Sequence, residues 1–217
     1  MKSILIIGMG KFGHHLCMNL AELGNEIMIV DEREEVIDDL LPFVTSAKIG
    51  DCTNEDVLRS LGISNFDICF ICIGTNFQSS LEITSMVKEL GAKCVISKAN
   101  RDMHAKFLLR NGADEVIYPD RDISEKLAAR VSANHVFDYI ELTDEYSIYE
   151  IPIVKSWIGK SIGELDIRAK YHVNILGTKQ DGKLDLLPGA SYVFGGEEEH
   201  LMVLGNKAAM EKLLKNL

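Results

Sequence analysis

The feature that most constrains this chain is its opening, where the apolar run Ser3-Ile4-Leu5-Ile6-Ile7 meets Gly8-Met9-Gly10-Lys11-Phe12-Gly13 and then a helical pattern reaching Gly24. A continuous run rich in β-branched residues reads as a buried strand, and Phe12, Leu16, Leu20 and Leu23 recur at helical spacing. Strand, tight turn and helix in that order build a phosphate cradle. Gly8 makes the bend, Gly10 lets the backbone approach a phosphate, and Gly13 lets the helix lie near the strand. The helix N-terminus adds free N–H donors and the positive end of a dipole, which puts the phosphate over Gly10 and Lys11. Such a turn is weak support by itself. The second apolar run, Glu26-Ile27-Met28-Ile29-Val30, strengthens it by delivering Asp31 close to the offset of about 20 residues at which a ribose-binding acid belongs. That carboxylate can accept from both ribose hydroxyls and repels a 2′-phosphate. NADP is disfavoured, while NAD, ATP, ADP and AMP stay open.

The alternation of strand and helix continues along the chain. A helix over Glu34–Leu41 ends near Pro42, and a strand through Val44–Ile49 runs into Gly50-Asp51-Cys52-Thr53. Asn54 caps a helix to Leu61 with Glu55 and Asp56 in its first turn, where the dipole favours acids. A fourth strand, Asp67–Ile73, leads through Gly74-Thr75-Asn76 to a helix that stops at Gly91. The fifth, Cys94–Ser97, delivers Lys98; a helix over Asp102–Asn111 follows, and a short sixth strand, Glu115–Ile117, ends at Tyr118-Pro119-Asp120. Six strands separated by helices predict an α/β fold with a parallel, doubly wound, Rossmann-type sheet. Ligands of such a sheet lie outside the carboxyl ends of the strands. The glycines and polar residues collect there, at Gly8–Gly13, Asp31, Gly50–Thr53, Gly74–Asn76, Lys98 and Asp120.

After a helix over Ile123–Val136 the pattern changes. Phe137–Leu142 and Tyr146–Val154 alternate without helical period, Ser161–Leu165 reads as a short helix, and Val173–Thr178 as a strand. Asp181-Gly182 marks a hairpin into Lys183–Leu186, Leu201–Leu204 is a last strand, and Asn206 caps a helix over Lys207–Asn216. The expected organisation is a nucleotide-binding domain over residues 1–134, including the crossover helix, and a smaller α+β domain over residues 135–217.

Composition narrows the function. With 217 residues, 47% of them hydrophobic, the chain can bury an ordinary core. No apolar stretch approaches the roughly 20 residues of a membrane span, and strand residues begin so early that no signal peptide is expected. A formal charge of −10 argues against nucleic acid or anionic lipid as principal partner, because both need a concentrated basic surface. Any membrane link is expected to run through a protein. Five cysteines, an odd number without an export signal, point to the reducing cytoplasm. Cys69 and Cys72 have C-x-x-C spacing inside a strand, and residues three apart on a strand face opposite sides and cannot share a ligand. Cys17, Cys69, Cys72 and Cys94 read as small core residues, with Cys52 alone near a ligand. The six histidines show no metal-ligand spacing, and Glu197-Glu198-Glu199 reads as a solvated turn.

An oxidoreductase on this first domain needs a second one carrying a proton donor and a substrate-orienting Arg. The second part here is small and offers no such constellation and no nucleophile–base pair. The residues favour a ligand-sensing module over an NAD-dependent oxidoreductase, an NADH redox sensor or a plain oligomerisation scaffold.

At these residues the chain resembles a known family. Ile7–Gly13, Gly50–Thr53, Ala113-Asp114 with Tyr118-Pro119-Asp120, Asp144–Ile148 and Asp166–Tyr171 are similar to the KtrA/TrkA family, cytosolic regulatory subunits of bacterial potassium transporters built from N- and C-terminal RCK domains. The likeness spans nearly the whole chain and is of the single-repeat KtrA type. It implies dimers assembled into an octameric ring under a membrane potassium-translocating subunit of KtrB or TrkH type, cytoplasmic and peripheral to the membrane. It further implies ATP and ADP exchanging at Gly8, Gly10, Lys11, Phe12 and Gly13, with Asp31 at the ribose, Asp51 and Cys52 by the adenine, Lys98 near the phosphates, and Thr53 and Gly74 also in the site. Asp120 would join a divalent cation at the γ-phosphate across the dimer. Members often carry Arg after the second glycine; Lys11, without the guanidinium fork, implies a weaker bridge to that phosphate. Cyclic di-AMP is the implied ligand of the second domain's dimer interface, at Ile162, Ile167, Arg168, Ala169, Asn174 and Pro188.

Overall fold

The computed structural model describes residues 1–132, 138–143, 145–196 and 198–215. They form two compact units, Met1–Ile123 and Ser124–Leu217. In the first, β1 (Ser3–Ile7), α1 (Lys11–Glu22), β2 (Glu26–Asp31), α2 (Glu34–Asp38), β3 (Ser46–Ile49), α3 (Glu55–Arg59), β4 (Ile68–Ile71), α4 (Phe77–Glu89), β5 (Val95–Lys98), α5 (Asp102–Arg110) and β6 (Glu115–Ile117) alternate along the chain. The sheet is parallel throughout, in the order β3-β2-β1-β4-β5-β6. Winding reverses between β1 and β4, so a crevice opens above their carboxyl ends.

Alternation along β1 divides the core between the two faces of the sheet. Ile4 and Ile6 pack with Cys17, Ile27, Ile29 and Cys72. Leu5 and Ile7 pack with Val30, Leu58, Cys69, Ile71 and Ile83. Cys69 and Cys72 therefore belong to opposite faces, as the strand period requires. Cys94 differs from the expectation of a core thiol and is only half-buried, because it precedes β5 rather than lying within it. Side-chain caps start two helices of this first unit: the Asn54 carboxamide accepts from the Asp56 N–H at 2.9 Å, and that of Asn76 from the Ser79 N–H at 3.1 Å.

The helix α6 (Pro119–Ser132) begins four residues earlier than the apolar pattern suggests. Pro119 opens it because a first-turn residue needs no intrahelical N–H bond and its φ is already helical. Asp120 thus lies in a helical first turn rather than at a strand end. The end of the expected helix, residues 133–136, lies outside the described residues.

The second unit is antiparallel. Its strands β7 (Asp138–Glu141), β8 (Tyr146–Pro152), β9 (Asn174–Gln180), β10 (Lys183–Leu186) and β11 (His200–Asn206) are ordered β10-β9-β11-β8-β7, with α7 (Ile162–Leu165), α8 (Ile167–Tyr171) and α9 (Lys207–Leu214) completing it. Ile151, Trp157, Phe194, Leu201, Val203 and Leu213 are among its core residues. Asp181 and Gly182 turn the β9–β10 hairpin with φ of 51° and 74°, both left-handed as a two-residue type I′ turn demands. Two features go beyond the sequence pattern. Asp166, at φ 47°, separates α7 from α8, a helix too short to show periodicity. Glu199 is not solvated: it is 1% exposed, and its carboxylate accepts from the Tyr192 hydroxyl at 2.6 Å and the Gly195 N–H at 2.8 Å. Two donors offset the desolvation that an acidic run would otherwise avoid by staying in water.

Candidate functional site

A cleft of about 810 Å³ opens at the carboxyl ends of the first unit's central strands. Gly8, Gly10, Lys11 and Phe12 line it from the turn after β1, and Asp31 from the end of β2. Asp51, Cys52 and Thr53 enter after β3, Gly74 after β4, and Lys98 at the end of β5. The sheet topology thus gathers residues far apart in the chain into one wall.

The three glycines differ in what they do. Gly8 has φ +95°, the left-handed region that a side chain resists. Gly13 lies behind the cleft lining, and a Cβ there would stand 2.1 Å from the Gly8 carbonyl oxygen, so it permits the close approach of α1 to the turn. At Gly10 an added Cβ would meet nothing within 4 Å; that space is open for a ligand. As the residue before α1, Gly10 brings no capping side chain, which leaves the first-turn N–H groups for an anion.

Asp31 is already engaged. Its Oδ2 accepts from the Met9 N–H at 2.7 Å, and its Oδ1 from the Arg33 N–H at 3.0 Å and the Arg33 Nε at 3.2 Å. Burial works to raise its pKa, but these donors and the Arg33 charge outweigh burial and hold the carboxyl below its ordinary value. A lone pair remains on Oδ2, and Arg33, half-exposed, can yield the place on Oδ1. Asp51 is occupied locally, accepting from the Thr53 N–H at 2.8 Å and the Thr53 hydroxyl at 2.7 Å, which lower its pKa. Cys52 is 4% exposed, and burial pushes its thiol to about 12. It offers the ligand a neutral apolar contact rather than a nucleophile. The Lys98 ammonium sits 5.7 Å from the Phe12 ring centroid and 3.3 Å from where a Gly74 Cβ would be. It is the cation between the glycine turn and the β4–α4 loop.

Arg33, Asn76, Ser79 and Asn100 also line the cleft. Arg33 and Asn100 escape a motif reading, although each follows a strand-end site residue by two positions. Asp120 is outside the cleft lining, exposed in the first turn of α6. Among the described residues no group of three or more His, Cys, Asp or Glu is placed to hold a metal.

The second-unit residues divide by burial. Ile167 is 3% exposed and belongs to the core, with Ile162 packed against it. Arg168 and Ala169 of α8 and Asn174 of β9 are exposed, and Pro188 is half-buried after β10.

The parallel strand order, the open glycine turn and the acid closing β2 define a Rossmann-type nucleotide-binding unit followed by an antiparallel α+β unit. Residues 4–119 match the family model of the TrkA-N domain. Over 216 residues the chain is 37% identical to Ktr system potassium uptake protein C of Bacillus subtilis (strain 168), covering 100% of this chain and 97% of that one. The chain belongs to the TrkA-N family of Ktr potassium uptake proteins. Its fold is also that of the GsuK RCK domain (TM-score 0.68, 21% identity, 99% of this chain and 47% of that one) and of the GsuK channel bound to NAD (TM-score 0.69, 22% identity, 98% and 39%). This chain spans less than half of either of those two, and the likeness to them is one of fold.

Proposed function

We propose that this chain is a nucleotide-gated regulatory subunit of a potassium uptake system, binding ATP and ADP in the cleft of its first unit. The observation that carries the reading is the pairing of an ionised, pre-oriented Asp31 with an open glycine turn opposite Lys98, one end suited to a ribose and the other to phosphates. The potassium uptake named for its Bacillus subtilis relative supplies the physiological setting. NAD or NADH is the competing ligand, favoured by the NAD named in the GsuK channel structure. Titration of the full chain with ATP, ADP, NAD and NADH by calorimetry tests this: ATP and ADP competing for one site supports it, and no adenine nucleotide binding overturns it.

Residues 1–134 serve as the gating half, which assembles as dimers into an octameric ring beneath a membrane potassium-translocating partner. Residues 135–217 serve as a dimerisation half that takes cyclic di-AMP on a two-fold axis, where Arg168, Ala169, Asn174 and Pro188 offer surface and Ile162 and Ile167 back it from the core. Two copies of Arg168 then face two phosphates. Calorimetry with cyclic di-AMP is expected to lose its signal in Arg168→Ala; equal binding by that variant removes the site. A cation at Asp120 requires ligands beyond one chain, from the γ-phosphate and a second subunit. Mg²⁺ or Ca²⁺ is then expected to tighten ATP but not ADP, and Asp120→Asn to abolish the difference.

A further inference from the structure

Below the cleft, α4, β5 and α5 share a buried polar seam. Ser80, Thr84, Ser97 and His104 are all 0% exposed. Thr84 and Ser97 satisfy each other at 2.9 Å. His104 has a partner for each ring nitrogen: Nδ1 lies 3.2 Å from Asn100 Oδ1, and Nε2 lies 3.2 Å from Ser80 Oγ. The Asn100 Nδ2 in turn donates to the Gly74 carbonyl at 2.5 Å.

The direction of every proton in this chain follows from one end. A backbone carbonyl only accepts, so the side of Asn100 facing Gly74 is its NH₂, and its Oδ1 is left as an acceptor toward His104. Nδ1 of His104 must then carry the proton, Nε2 must be the bare nitrogen, and the Ser80 hydroxyl must donate to it. Burial first, and the nearby Arg101 charge second, push the imidazole pKa down, in keeping with a neutral ring. Phe77 closes the edge of the ring at 5.0 Å between centroids. The imidazole is locked in place, tautomer and direction.

What the chain ends on is part of the cleft. Gly74 and Asn100 both line it, and the Lys98 ammonium stands beside Gly74. The Asn100 amide therefore holds the Gly74 carbonyl, and with it the turn beside which the Lys98 ammonium stands. We propose that His104 is a positioning residue of the nucleotide site: by fixing Asn100 it holds the Gly74 backbone in place beside Lys98, at the phosphate end of the ligand. This rests on the nucleotide reading of the cleft.

The test separates the phosphate end from the ribose end, using calorimetry of the full chain with ADP and with adenosine. Asn100→Ala and His104→Leu are each expected to weaken ADP about tenfold, the scale of one charge-assisted contact. Adenosine is expected to change less than about twofold. His104→Gln, whose amide can accept from Ser80 and donate to Asn100, is expected to recover ADP to within about threefold. Because His104 acts through Asn100, the double variant is expected to bind ADP no more weakly than Asn100→Ala alone. Equal loss of adenosine and ADP, unchanged ADP affinity, or full additivity in the double variant each overturns the proposal. Asn100 is exposed, so its variant is expected to fold even where His104→Leu lowers the melting temperature. Wild-type protein that binds neither ligand overturns the nucleotide reading itself, and the positioning role with it.

Discussion

The Asp31 carboxylate accepts the Met9 amide at 2.7 Å, so one side chain both closes the glycine turn and lines the cleft. Its two duties can be separated by substitution. Asp31→Ala removes the acceptor of a buried amide as well as the charge. It is expected to lower the melting temperature and weaken ATP, ADP and NAD together by about 1.5–3 kcal/mol, the range of a hydrogen bond to a charged group. Asp31→Asn keeps an oxygen for Met9 and is expected to spare stability while still weakening the nucleotides; calorimetry beside thermal melting reads both. The acid was legible in the sequence because it ends an apolar run at the right distance from the glycines. Arg33 was not, because nothing in a one-dimensional pattern says that an arginine two positions on will fold back onto Asp31 rather than into solvent. His104 was equally hidden: its role depends on Ser80 and Asn100, which only the packing of α4 against α5 brings to its two nitrogens.

At the scale of elements, the strand–turn–helix opening carries two glycines with opposite liabilities. A Cβ at Gly13 collides with the Gly8 carbonyl, whose oxygen would lie at 2.1 Å and carbon at 3.2 Å; both are backbone atoms, and α1 can make room only by moving off the turn. Gly13→Ala is expected to destabilise the first unit by about 3 kcal/mol, at the upper end of overpacking costs. Gly10 has an ordinary φ of −66° and open space around it. Gly10→Ala is expected to leave the unfolding midpoint within about 0.5 kcal/mol of wild type and to weaken phosphate-bearing ligands specifically. Denaturant unfolding and nucleotide titration on the pair check the contrast; a strongly destabilised Gly10→Ala would place that residue in the packing. The strand–helix alternation was readable because buried parallel strands are short, apolar and bounded by caps and glycines. The start of α6 was not, because Pro119 follows the sixth strand directly and a proline there serves equally as a stop or as a first helical turn. The buried Glu199 lay beyond a reading by composition, since its donors come from Tyr192 and Gly195.

At the scale of the whole molecule the two units can be followed separately. Trp157, 3% exposed in the second core, is the only tryptophan of the chain, so its fluorescence reports that unit alone. In the same unit Glu150 takes Lys179 at 2.9 and 3.0 Å and His200 at 2.8 Å. Burial works to raise the Glu150 pKa, but its two partners outweigh burial and bring it below the ordinary value. A depressed carboxylate contributes its stability above the unfolded-state pKa and loses it as pH falls through the folded one. The Trp157-detected melting temperature is therefore expected to drop as pH is lowered through the acidic carboxylate range, and Glu150→Gln to flatten that part of the profile; an unchanged slope removes Glu150 as its source. If cyclic di-AMP moves a ring from 10:1 active to 1:10, it must prefer the inactive form by about 2.7 kcal/mol, within reach of one arginine–phosphate pair repeated across an axis. Finally, the placement of thiols on both faces of the parallel sheet makes the molecule its own clock of local opening. Cys17 and Cys72 sit in one layer, Cys52 and Cys69 in the other, and burial raises their pKa values to about 11 for Cys17 and about 12 for the rest. Alkylation waits for a layer to lift and a thiolate to form. Pulsed labelling read by mass spectrometry would then date the departure of each helical layer, and equal rates in the two pairs would mean that the sheet sheds both layers in a single event.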